Sequence, residues 1–117
     1  MEAFIYTLVR RADWAEAAAA GAYTGSADDR RDGFLHFSTA AQLRATAAKH
    51  RKGETDLVIV EAESARLGDS LRFEAPLSGR PGLFPHLYAP LPLSAVTRVL
   101  DLPLGPDGLH EFPPGFP

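Results

Sequence analysis

Asp32-Gly33-Phe34-Leu35-His36-Phe37-Ser38-Thr39 holds a loop end, a short strand and a helix start in one run. Gly33 closes a segment of small and charged residues. Phe34-Leu35-His36-Phe37 has the aromatic and apolar content of a strand. Ser38 or Thr39 then supplies the hydroxyl that caps a helix running to about His50. Side chains alternate along a strand, so His36 lies on the opposite face from Leu35 and Phe37. If those two face the core, His36 faces a cleft or the solvent; with the faces reversed, it is buried. Hydroxyls beside the free N–H groups of a helix start make a corner that suits phosphate or another anion.

On the N-terminal side, Ala3 to Val9 reads as a strand and Ala12 to Ala20 as an alanine-rich helix, with Trp14, Ala17 and Ala18 on one face. Gly21 ends that helix. Ala22 to Gly33 reads as a mobile surface loop. On the C-terminal side, Leu43, Thr46 and Ala47 give the second helix its buried side, and Lys49, His50, Arg51 and Lys52 suit its last turn. Leu57-Val58-Ile59-Val60 is the most apolar run and predicts a central strand. Ala65 to Ser70 reads as a turn, Leu71-Arg72-Phe73-Glu74 as a short strand and Ser78 to Gly82 as a loop. His86-Leu87-Tyr88 predicts another short strand, Pro90 and Pro92 an interruption, and Ala95 to Leu102 a last strand. Asp107-Gly108 predicts a hairpin turn.

Helices come early and strands cluster late, which favours an α+β fold over regular βαβ repeats. The length of 117 residues suits one domain spanning 1–117, with residues 105–117 a loosely held tail. A formal net charge of −3 gives no basic footprint for nucleic acid. No DNA partner is expected, and RNA is disfavoured on the same ground. The absence of cysteine excludes disulfides, thiolate metal sites and a cysteine nucleophile, and fits a cytoplasmic location. Neither a signal peptide nor a membrane-spanning apolar run is visible.

A second constellation is Phe84-Pro85-His86-Leu87-Tyr88. Pro85 restricts the backbone before His86, and His86 and Tyr88 share one face if the segment is extended. Imidazole and phenol pointing the same way could grip a ribose, a phosphate or a carboxylate. A third is Arg72 and Glu74, two apart on one strand face. They form either an exposed ion pair of little energetic weight or a pair that orients a histidine or a substrate hydroxyl. On spacing alone, each histidine reads as a structural residue sooner than a functional one. No close histidine spacing indicates a metal, Gly79-x-x-Gly82 is too little for a phosphate loop, and Ser38 and Ser94 lack a nucleophile-elbow context.

Taken in order, Ile5-Tyr6, Trp14, Ala17, Gly21-Ala22-Tyr23, Ser26, the run from Asp32 to Thr39, Gln42, the apolar strand at 57–60, Glu74 and the run from Phe84 to Tyr88 resemble a bacterial family called domain of unknown function 952. The match covers nearly the whole chain. The resemblance implies an ADP-ribosyltransferase-like fold, with split antiparallel sheets and two main helices in the N-terminal half. It is also similar to the RNA 2′-phosphotransferases of that superfamily, which bind NAD in a cleft between the split sheets. By that analogy His36 is the second-strand functional residue and Tyr6-Thr7 the first-strand position, where many phosphotransferase relatives carry a histidine.

The resulting expectation is a cleft for a nucleotide-like ligand of the NAD or ADP-ribose type. NAD would enter as a substrate rather than as a resident cofactor. His36, Ser38 and Thr39 would form the floor, Tyr6, Trp14 and Tyr23 would stack on a ring or wall the cleft, and Arg72, Glu74, His86 and Tyr88 would close it. ADP-ribosyl transfer or removal of a phosphate-like group is the reaction class implied, with His36, Glu74 and His86 as the catalytic candidates. Glu74 would stabilise the oxocarbenium-like charge. The alternatives are a non-enzymatic module that binds a metabolite or a partner in the same cleft, and a histidine-dependent hydrolase.

Overall fold

The computed structural model describes residues 2–117. Strand β1 (Phe4–Arg10) is followed by helix α1 (Arg11–Ala20), strand β2 (Ala22–Tyr23), helix α2 (Ala27–Asp32), strand β3 (Leu35–His36) and helix α3 (Ala40–His50). Strands β4 (Leu57–Glu63), β5 (Leu71–Glu74), β6 (Phe84–Leu87), β7 (Leu91–Pro92) and β8 (Val96–Leu102) complete the chain. They form three antiparallel sheets, ordered β1-β4-β8, β3-β6-β5 and β2-β7. The architecture is mixed helix and sheet, with its two long helices and a third, short one all ahead of β4.

The first sheet is covered on both faces. Ile5, Val9, Val58, Val60 and Ala62 pack with Ala17, Tyr23, Leu35, Phe37, Leu87 and Leu91. From the other face, Tyr6, Leu8, Leu57 and Ile59 pack with Leu43 and Ala47 of α3, Leu102 and Phe116. This two-sided burial is why β4 reads as an unbroken apolar run and not as an alternating one.

The first and second three-stranded sheets meet edge to edge. Tyr6 N donates to Ser38 O at 2.8 Å and Ser38 N donates to Tyr6 O at 2.7 Å, an isolated antiparallel bridge between the free edge of β1 and the residues just past β3. Thr7 Oγ1 adds a bond to the carbonyl of His36 at 3.0 Å.

Three expectations are corrected. The segment 22–33 is not a mobile loop: it holds β2 and α2. Ser26 caps α2 by a reciprocal box, with Asp29 N donating to Ser26 Oγ and Ser26 N to Asp29 Oδ2. The sequence Ser26-Ala27-Asp28-Asp29 carries that pattern with the shorter acid in the third position. Pro92 does not merely interrupt the chain, since β7 pairs with β2 through Ala22↔Pro92 and Tyr23↔Leu91. The C-terminal segment is docked. Phe116 is buried, its ring edge-on to Tyr6 at 4.9 Å, and Arg44 lies over the rings of Phe112 and Phe116. Arg98 Nη2 donates to Gly115 O and Arg44 Nη1 to Pro117 O, each at 3.0 Å. Aromatic burial is what holds a segment whose prolines and glycines form no regular element.

Removing that anchor is expected to weaken the whole fold. Phe116→Ala should lower unfolding stability by about 3 kcal/mol in chemical denaturation. A loss well under 1 kcal/mol would show that the segment does not dock.

Candidate functional site

The site is built at the edge-to-edge junction. His36 on β3 and His86 on β6 are directly opposite in register, with ring centroids 5.9 Å apart. Phe34 stacks on His86 at 4.0 Å and contacts His36 at 4.6 Å and Tyr88 at 5.3 Å. Both histidines line a cleft of about 440 Å³ bounded by β1, α2, β3, α3 and the loop between β5 and β6.

His36 is held between two carboxylates. Asp29 Oδ1 lies 2.5 Å from Nδ1 and also accepts the His36 backbone N–H at 3.0 Å, while Asp32 Oδ2 lies 3.0 Å from Nε2. With a carboxylate on each ring nitrogen, both nitrogens are placed to donate, the geometry that suits an imidazolium. The Asp29 hydrogen bond raises its pKa above the usual imidazole range, against the cost of burial, and Asp32 adds to the effect. Burial alone would raise the Asp29 carboxyl, but the bonds from His36 and Ser26 outweigh it and hold it low. Asp32 is held low by Arg31 first. Gly25 makes this packing feasible: at φ 106°, it sits where a Cβ would fall 2.7 Å from both Asp29 Cβ and Leu35 Cδ2.

His86 is oriented from behind. Its side chain is 3% exposed and its Nδ1 lies 2.9 Å from Glu74 Oε1, which also accepts Tyr88 Oη–H at 2.6 Å. These bonds hold the Glu74 carboxyl below its ordinary range, Tyr88 first and His86 second. With Nδ1 engaged, Nε2 is the nitrogen left for a ligand.

Of the residues expected at the site, His36, His86, Ser38 and Tyr6 line the cleft. Tyr6 does so with its ring only. Its hydroxyl donates to Glu61 Oε2 at 2.9 Å, and burial together with that bond pushes its pKa to about 12. Thr39 caps α3 instead, its backbone N–H donating to Gln42 Oε1 at 3.0 Å. Trp14 and Tyr23 are not cleft walls. They pack on each other at 6.2 Å in the core between α1 and the first sheet, where burial pushes Tyr23 to about 12. Arg72, Glu74 and Tyr88 stand outside the cleft lining: Arg72 lies 5.0 Å over the Tyr88 ring, and Glu74 orients His86. Sequence reasoning missed Asp29 and Asp32. The signal was there, in the Ser26–Asp29 cap and in an aspartate four residues before His36. It also missed Thr46 and Arg80, which line the α3 side.

Among the described residues no cluster of three or more histidines and carboxylates has the geometry to hold a metal ion. No helix among them is long and apolar enough to cross a membrane.

An α+β protein with paired histidines in a cleft at a sheet junction is the class defined so far. The family model described as protein of unknown function (DUF952) matches residues 8–99, and the chain belongs to that family. The crystal structure of protein CC0527 from Caulobacter crescentus is 44% identical, aligns over 92% of this chain and 93% of that chain, and superposes with a TM-score of 0.86. The solution NMR structure of CC0527 gives a TM-score of 0.82 at the same identity, over 93% of this chain and 92% of that chain. No curated protein matches the chain.

The carboxylate–imidazolium pair sets a pH signature. Because the folded pKa of His36 is raised, its contribution is fully present below about pH 6.5 and is lost as pH rises through the folded value. The Asp29 contribution runs the other way, fading as pH falls through its lowered value. Asp29→Asn should therefore cost about 1–2 kcal/mol near pH 5–6 and less on either side. Denaturation across pH, with an NMR titration of His36, checks this; a pH-independent difference would refute the assignment.

Proposed function

We propose that the cleft binds a phosphorylated nucleotide of the NAD or ADP-ribose type on an ADP-ribosyltransferase-like fold. The observation that carries this reading is the pairing of His36 with His86 across β3 and β6, at the wall of a cleft that also presents the hydroxyl of Ser38. The edge-to-edge meeting of two antiparallel sheets beside that cleft supports the fold assignment. A volume of about 440 Å³ is in the range of small-ligand sites. The Asp29–His36–Asp32 triplet offers carboxylate oxygens to ribose hydroxyls. Fold-level analogy alone does not fix a reaction.

Recognition without turnover is the reading that the side-chain commitments favour. The Thr7 hydroxyl occupies the first-strand position and is spent on the His36 carbonyl. Glu74, the carboxylate expected to stabilise an oxocarbenium-like charge, is turned to His86 and Tyr88. Calorimetry with NAD and with ADP-ribose on the wild-type protein and His36→Ala tests the reading. Wild type should bind, and the variant should bind roughly tenfold more weakly. No binding by wild type at millimolar ligand would end the proposal. Release of nicotinamide on long incubation with NAD would replace recognition by transfer chemistry.

A further inference from the structure

Arg80 is an arginine whose charge is not matched nearby. Arg11, Arg31, Arg51, Arg66 and Arg98 each hold a carboxylate within ion-pair distance, whereas Arg80 has none among the described residues. Of its five N–H donors, only Nη1 is used, to Thr46 Oγ1 at 3.3 Å. Its guanidinium lies 4.5 Å over the Phe84 ring. Thr46 Oγ1 lies 2.8 Å from Ser38 Oγ, so this hydroxyl pair keeps one O–H uncommitted. All three side chains line the cleft. The loop that carries Arg80 is tied to the start of α3, with Gln42 Nε2 donating to Leu83 O at 2.7 Å.

His50, one turn beyond Thr46 on α3, is held below the usual imidazole range by burial first, then by Arg80, Lys49 and Arg51, with Asp28 the opposing charge. A guanidinium with unused donors beside two hydroxyls matches phosphate oxygens, which take the planar fork of arginine two bonds at a time.

We propose that Arg80, with the hydroxyls of Thr46 and Ser38, forms an anion subsite on the α3 wall of the cleft that takes the phosphate groups of the ligand. This rests on the reading of the cleft as a nucleotide site and names the part of the nucleotide that is held there. His36 and its two aspartates then face the uncharged, hydroxyl-bearing remainder.

The test is calorimetry with pyrophosphate, ADP-ribose and adenosine on wild type, Arg80→Ala and Arg80→Lys, with NMR titration of the His50 ring. Pyrophosphate should bind wild type, roughly tenfold more weakly to Arg80→Ala, and with intermediate affinity to Arg80→Lys. ADP-ribose should lose the same factor, adenosine should be indifferent to the change, and bound pyrophosphate should raise the His50 pKa. Equal ADP-ribose affinity in wild type and Arg80→Ala would overturn the subsite and leave the nucleotide cleft standing. Arg80-dependent pyrophosphate binding with ADP-ribose no tighter than pyrophosphate would keep the subsite and remove the nucleotide. No pyrophosphate binding at millimolar concentration would overturn the subsite.

Discussion

The two backbone hydrogen bonds between Tyr6 and Ser38 govern the placement of nearly every group in the cleft. They join β1 to the residues just past β3, and each of these strands is the outer one of its own sheet. An open strand edge is a hazard because its N–H and C=O groups invite other chains. Here one residue pair consumes part of both edges without merging the sheets into one. Because the bridge is isolated, a space opens beside it. The chain turns into α3 directly after Ser38, so α3 forms one wall of that space, while β3 carries His36 on the other side. A residue inserted between His36 and Ser38 would rotate the strand by one face and remove either the histidine or the bridge.

Two buried carboxylates secure the strands that make this junction. Glu61 on β4 accepts from Tyr6 Oη, from Thr97 Oγ1 at 2.7 Å and from Arg98 Nε at 3.0 Å. The register of β4 against β8 shifts between Glu61 and Ala62, which leaves Thr97 unpaired and lets both it and Arg98 reach one carboxylate. Asp29 accepts from Ser26 N, His36 N and His36 Nδ1. A buried charge is tolerated only when its lone pairs are filled, and both residues are filled by three donors. Glu61 thus fixes the Tyr6 side of the bridge and Asp29 the His36 side.

The strands and the two long helices were legible because their signals are local: an apolar run at 57–60, an alanine helix ended by Gly21, a hydroxyl before α3. The whole-chain resemblance brings His36 and His86 to one expected cleft, but their pairing across β3 and β6 is not legible in the sequence, since alternation assigns a face but not a partner strand. Elements of two residues carry too little pattern to be read, so β2 and β7 were missed, and β7 was further hidden by its proline. Trp14 and Tyr23 were placed in the cleft on aromatic character, which does not distinguish a wall from a core. Burial decides it, and burial is set by where α1 lands on the first sheet. Asp29 and Asp32 were passed over because a segment rich in Asp, Arg and Gly reads as loop, although its Ser-x-x-Asp cap argues for a helix. Arg80 lies in a stretch read only as loop chemistry, and a missing counter-charge is a feature that no local pattern displays.

The two histidines do not have the same chemistry, although they face each other. His36 has both nitrogens committed to carboxylates. It cannot accept a proton, and giving one up would break a hydrogen bond to a charged partner. It is therefore a fixed element of charge. His86 has one nitrogen committed, to Glu74, so its Nε2 is free to bond a ligand. Glu74 in turn is kept ionised by Tyr88 as well as by His86, which holds the His86 ring in one orientation. The two rings are therefore inequivalent, each set by its own carboxylates rather than by the other. What the fold sets side by side is a ring fixed between two carboxylates on one strand, an oriented imidazole on the next, and the hydroxyls of Ser38 and Thr46 at and on the adjoining helix.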